Sequence, residues 1–304
     1  LNTERVKSIL IGIFLIMAIA LAGLIFVSEQ RYVLSAPQEA AIRTVMERSG
    51  VVFTDNAVMT RSHRPMRQLA LRPYEHDFAA ISARFFGDEI YTLIETEWDI
   101  IRDAPNRRLS FLTERNTILF EIHEGLQTPE FQAAGFNKSS AEALAENFAA
   151  QMLDRNINMT LHSVVLGRTG DYIFNYFGSY GNYHIFNNHL RVRVTAAGLT
   201  RMEFSYFHIE GFMGEAARIY SADEAIVALM NFLRSYGVLG GNTRHQIEII
   251  NMRLLYHLED VRIDSPHAQM ASPSYAFTVI IDQTRFNYVF NANTNSFARG
   301  EVFR

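Results

Sequence analysis

Apolar residues recur along this chain in three rhythms, and each predicts a different kind of element. From 9 to 27 the sequence ILIGIFLIMAIALAGLIFV is apolar without interruption. A helix of that length rises about 28 Å, close to the hydrocarbon thickness of a bilayer. Thirteen of its positions are Ile, Leu, Phe or Val. At roughly 0.3–0.6 kcal/mol each, they favour insertion by about 4–8 kcal/mol. The stretch is therefore expected to be a transmembrane helix. The rival readings fit less well: the apolar region of a cleaved signal peptide runs about 7–15 residues, and Leu34-Ser35-Ala36 is a displaced cleavage motif. A buried core helix is the bland alternative, but such helices are rarely uniformly apolar all round at the extreme terminus. Arg5 and Lys7 before the stretch, against Glu29-Gln30-Arg31 after it, point residues 1–8 into the cytoplasm and the rest outside.

The second rhythm is the helical one, apolar at every third or fourth position. After a tether at 28–36, Pro37 opens a helix to Gly50 with Ala41, Ile42, Val45 and Met46 on its apolar side. The segment 51–73, with Pro65 and Pro73, reads as irregular. A second helix carries Phe78, Ile81, Phe85 and Phe86 inward and stops at Gly87. A third opens at Ser139-Ser140 and runs to about Asn156 with Leu144, Phe148 and Met152 at helical spacing; a fourth opens at Ser221, with Glu224 three places on, and reaches Tyr236.

The third rhythm is alternation, which predicts strands. It covers 89–96, 107–113 and 116–123, then LHSVVLG, DYIFNYFG, YHIFNN, HLRVRVTA and LTRMEFSYFHIE, with turns at Gly170, Gly181 and Gly198. Strands at 246–258, 274–282 and 285–291 complete the chain, the last two joined near Asp282-Gln283. The order predicts an α+β fold: a transmembrane helix at 9–27, a tether at 28–36, and an extracytoplasmic region of helices laid on antiparallel sheets, divided into 37–127 and 128–304, the latter holding two helix-plus-sheet modules.

Composition narrows the chemistry. Aromatic content of 12%, with 23 Phe and 13 Tyr, is that of a chain with a real core. A net charge of −4 supplies no field to attract nucleic acid. The absence of cysteine removes disulfides, thiolate metal sites and thiol nucleophiles. The ten histidines form no HxH, and His123-Glu124 lacks the second histidine of a zinc helix. His184 and His189 read as ordinary histidines separated by a turn. Ser179 in Phe177-Gly-Ser-Tyr-Gly181 has Phe where a nucleophile elbow needs Gly. Glu95, Glu97 and Asp99 alternate as the solvated face of one strand, where they also fit glycosidase or calcium chemistry. Arg61, His63, Arg64, Arg67 and Arg72 form the densest basic stretch, a solvated loop or a contact for anionic lipid or an acidic partner. Ala18, Ala22 and Gly23 are small enough to let a second transmembrane helix approach. These readings assign no catalytic residue, cofactor or metal.

The motifs taken in order resemble the YycI family, membrane-anchored regulators that accompany the WalK/WalR (YycG/YycF) cell-wall two-component system. The opening ERVKSILIGIFLIMAIAL resembles that family's anchor, and ARFFGDEIY its FFG segment. YFGSYGNYHIFNNHLRVRV is similar to its Tyr-rich hairpin, SADEAIVALM to the helix before its last sheet, and YAFTVIID with FNYVFNANTNSF to its final strands. His184 and Phe277 depart from the Pro and Trp of the pattern. The resemblance implies a non-enzymatic protein, single-pass in the cell membrane, that adjusts a WalK-type sensor histidine kinase together with a YycH-like anchored partner. A PepSY-like adaptor or ligand sensor, binding a peptide, wall fragment or wall hydrolase, is the other reading.

Overall fold

The computed structural model describes Met17 and residues 33–303, apart from 61, 154–156, 168, 241–244, 264 and 266. The expected transmembrane stretch at 9–27, with Ala18, Ala22 and Gly23, lies outside the described residues except for Met17. Among the described residues no helix is long and apolar enough to cross a membrane. What is described is mixed α+β, mostly sheet with few helices.

In chain order the elements are α1 (Ala36–Arg48), β1 (Val51–Met59), β2 (Met66–Pro73), α2 (Phe78–Phe86), β3 (Thr92–Glu95), β4 (Asp99–Asp103), β5 (Arg107–Leu112) and β6 (Thr117–Leu126). There follow α3 (Pro129–Ala134), α4 (Lys138–Met152), β7 (Thr160–Leu166), β8 (Tyr172–Tyr180), β9 (Tyr183–Thr195), β10 (Gly198–Ser205) and β11 (Phe207–Ala217). The chain ends with α5 (Ala222–Ser235), β12 (Ile247–His257), β13 (Gln269–Ile281), β14 (Thr284–Asn291) and β15 (Phe297–Phe303). They group into two compact units: Leu1–Arg67 with Glu215–Leu254 and Pro273–Arg304, and Gln68–Gly214 with Leu255–Ser272. The expected boundary at 127/128 falls inside the second unit.

The first unit sets α5 against the β13–β14–β15 meander. Ala222, Ala225, Ile226, Leu229, Met230 and Leu233 are buried at helical spacing, and Phe232 stacks on Phe297 at 4.3 Å. The Ser221 N–H donates to the Glu224 carboxylate at 2.7 Å, which begins the helix where the capping pattern places it. Asp282 and Gln283 both adopt positive φ, as a two-residue hairpin between twisted strands requires. Three expectations change here. The irregular 51–73 segment contains β1, which pairs in parallel with β12, Val51 opposite Ile247, and β2. A further strand, β15, follows the last expected one and pairs with β14. On α1 only Met46 is buried while Val45 is exposed, because Arg43 lies over the Phe53 ring at 5.0 Å and turns the Glu39–Arg43–Met46 side toward β1.

The second unit is built on an antiparallel sheet in the order β7-β8-β9-β10-β6-β5-β4-β3. Helices α2 and α4 cover one face. Phe85 meets Phe120 edge-on at 5.2 Å, and Phe120 meets Phe148 at 5.8 Å, so three rings join α2, β6 and α4. Leu144, Phe148 and Met152 are buried as their spacing predicts. YHIFNN and HLRVRVTA, read as two strands, form the single strand β9, whereas LTRMEFSYFHIE divides at Tyr206 into β10 and β11.

Candidate interaction surface

The three acids Glu95, Glu97 and Asp99 do not share a strand face. Glu95 ends β3, Asp99 begins β4, and Glu97 sits in the turn between them. The Thr96 hydroxyl makes that turn: it accepts from the Asp99 N–H at 2.9 Å and the Trp98 N–H at 3.3 Å. The Glu95 and Glu97 carboxylates, with Asp99 half-buried beside them, therefore stand in solvent on a hairpin tip. Beneath it, Arg102 fastens β4 to α2, donating to the Phe78 carbonyl at 3.3 Å with its guanidinium 4.7 Å from the Phe78 ring centre.

This hairpin breaks the usual rule for apolar side chains. Ile90 is 89% exposed, Leu93 52%, Ile94 42% and Trp98, the only tryptophan, 52%. Meanwhile the Trp98 carbonyl is held by the Thr113 N–H at 2.9 Å, so the exposed indole hangs from a fixed backbone. β3 pairs with β4 alone, and among the described residues its outer edge has no strand partner. An open edge flanked by exposed apolar side chains is a template for another chain, and soluble proteins normally block one with Lys, Pro or a covering loop. Between Gly87 and Ile101 there are five acids, Asp88, Glu89, Glu95, Glu97 and Asp99, and no Lys or Arg. Glu89 is paired with Arg107 at 3.5 Å.

On the face turned away from α2 and α4, the same sheet carries paired charges instead. Arg193 pairs with Asp171 at 2.6 Å, and His189 and Arg191 both reach Glu203, at 3.3 and 3.5 Å. Burial alone would push the Glu203 carboxyl up, but the His189 hydrogen bond and the charges of His189, Arg191 and Arg201 hold it far below the carboxylate range. These pairs cross from strand to strand.

The other expected candidates disperse. His184 accepts or donates at Nδ1 to the Ser179 hydroxyl, 3.0 Å away on the β8–β9 hairpin, whereas His189 turns to Glu203, so the two histidines share no site. His123 and Glu124 lie on β6, so a zinc-helix spacing does not apply. Among the described residues no three His, Asp or Glu side chains gather to hold a metal. The basic stretch is partly strand β2, where Arg72 pairs with Glu210 at 3.3 Å; Arg61 lies outside the described residues.

No family model matches this chain, and no curated protein does. Among solved structures, an uncharacterised protein from Eubacterium rectale is similar at a TM-score of 0.50 and 13% identity, over 82% of this chain and 91% of its own, a likeness of fold alone. The C-terminal domain of Bacillus megaterium YpeB aligns over 77% of this chain and 99% of its own at 11% identity, with a TM-score of 0.35.

Proposed function

We propose that this protein is a membrane-anchored, non-enzymatic regulator that binds a WalK-type sensor histidine kinase together with a YycH-like partner. In this reading residues 9–27 cross the cell membrane, the N-terminus is cytoplasmic and both compact units are outside. The observation that carries it is the β3–β4 hairpin, whose outer edge has no strand partner among the described residues and lies beside the exposed Ile90, Leu93, Ile94 and Trp98. Protein interfaces concentrate their energy in such aromatic and aliphatic anchors. The order of sequence motifs from ERVKSILIGIF to FNYVFNANTNSF supports the family assignment. Regulation then needs no reaction: interhelical contacts worth about 1–2 kcal/mol, formed in one kinase state and not the other, shift its population several-fold.

The test is photo-crosslinking in native membranes from a benzophenone residue placed at Trp98. Recovery of a histidine kinase or a second anchored protein is expected, and recovery of neither overturns the proposal. Replacing residues 9–27 by an unrelated membrane helix separates the routes, since unchanged kinase output leaves only the external one. A second reading, an extracytoplasmic PepSY-like adaptor or ligand sensor, is favoured by a groove in the second unit, away from the hairpin.

A further inference from the structure

Helix α4 buries Ala141, Leu144, Ala145, Phe148 and Met152 against the sheet, but its last turn presents Ala149 and Ala150 to a groove of about 470 Å³. Leu153, Ile157 and Met159, where the chain leaves the helix, form the second wall. Tyr176 on β8 and Leu190 on β9, directly opposed across the strands, also line it. The volume falls within the range of small-molecule sites, and six of the eight lining residues are apolar.

One polar atom is out of keeping with that lining. Tyr176 is only 7% exposed, and among the described residues its buried hydroxyl has no hydrogen-bond partner. Tyrosines of this kind normally satisfy the hydroxyl, because leaving it dry and unpaired costs stability. Its surroundings show what would satisfy it. Burial pushes the phenol pKa up, and the charges of Glu146 and Glu142 push it further, so the group is a neutral hydroxyl in a negative field. Glu146 itself lines the exposed mouth of the groove. Among the described residues the charges acting on the phenol are both negative, so an anion is repelled there, whereas an ammonium is attracted to Glu146 and, by displacing the side chains that close over the phenol oxygen, can donate to it.

We propose that this groove binds a primary alkylammonium amphiphile, with its chain along Leu153, Ile157, Met159 and Leu190 and its ammonium between the Tyr176 hydroxyl and Glu146. The small side chains of Ala149 and Ala150 leave room for the chain. The site lies apart from the hairpin and does not depend on the identity of any protein partner.

Titration calorimetry on the purified full chain, with octylammonium and octanoate as probes, tests this. Octylammonium is expected to bind saturably and at least about tenfold more tightly than octanoate, with an affinity that falls as salt rises. Glu146→Gln and Tyr176→Phe should each weaken octylammonium about three- to tenfold. Tyr176→Phe removes an unpaired hydroxyl, so it should melt no lower than the parent, which separates lost binding from lost folding. Equal affinity for the two probes, no saturable binding, or unchanged octylammonium affinity in both variants would overturn the assignment.

Discussion

The His76 ring stands edge-on to Phe204, with ring centres 5.4 Å apart, and meets Phe111 and Tyr74 in the same way at 6.1 and 5.0 Å. Among the described residues its buried Nε2 has no hydrogen-bond partner. Burial among aromatic rings favours the neutral imidazole and lowers its pKa from 6.5 to about 4. Because the folded value is the lower one, the unfolded chain binds the extra proton first. Stability from this residue is complete above pH 6.5 and drains away as the pH falls toward 4, by up to roughly 2–3 kcal/mol. His76→Leu should flatten that decline. Urea midpoints measured from pH 7 to 4 check it, and a parallel fall in parent and variant would count against it.

Glu203 acts lower on the pH scale. Its carboxyl is held below its ordinary value of 4.5 by His189, Arg191 and Arg201, against the upward push of burial. A depressed carboxyl stabilises the fold above about pH 4.5 and stops doing so as acid protonates it. Glu203→Gln should therefore cost about 1–3 kcal/mol at pH 7. The gap should narrow steadily below pH 4.5. Denaturation of both proteins at pH 7 and pH 3 gives the comparison.

The hairpin predicts a separation of stability from binding. Trp98 and Ile94 are 52% and 42% exposed, so Trp98→Ala and Ile94→Lys should each lower the unfolding free energy by no more than about 1–2 kcal/mol, too little to unfold the protein. If the hairpin is the protein-binding edge, Ile94→Lys should nonetheless abolish crosslinking from neighbouring positions, since it puts a strongly hydrated cation where an apolar contact was made. A variant that folds normally and still crosslinks would move the interface elsewhere.

Much of the fold was legible wherever local spacing decides the outcome. The apolar faces of α2, α4 and α5 and the Ser221/Glu224 cap follow from residues three and four apart, and each is buried or bonded accordingly. β1 escaped because its partner, β12, lies about 200 residues away and no local signal reports a parallel pairing. Glu95, Glu97 and Asp99 misled for a related reason: period-two alternation continues across the Thr96 turn, and only the hydroxyl's two N–H bonds reveal the reversal. On α1 the spacing of Ala41 and Val45 was helical, but the stacking of Arg43 on Phe53 chose another face. The site features were the least legible. That Tyr176 lacks a partner among the described residues, and that His189, Arg191 and Arg201 gather around Glu203, depends on which strands stand side by side and in what register.

Gly198 offers the sharpest test of that register. It begins β10 opposite Thr195 with φ of 106°, a backbone conformation that side chains other than hydrogen rarely permit. A Cβ placed there would lie 2.1 Å from the Leu126 carbonyl oxygen, because β6 and β10 are in register with Leu199 opposite Leu126. Relief requires moving backbone, not turning a side chain. Gly181, in the β8–β9 turn, also has positive φ, 59°, but a Cβ there would meet nothing within 4 Å. Gly181→Ala should therefore cost only the left-handed backbone term, about 1–2 kcal/mol. Gly198→Ala adds the collision and should cost about 3 kcal/mol or more. Thermal and urea unfolding of the two variants side by side measures how much the β6 contact, together with the less favourable φ of 106°, adds to an ordinary left-handed turn. Equal destabilisation would mean that β6 and β10 do not approach as the register requires.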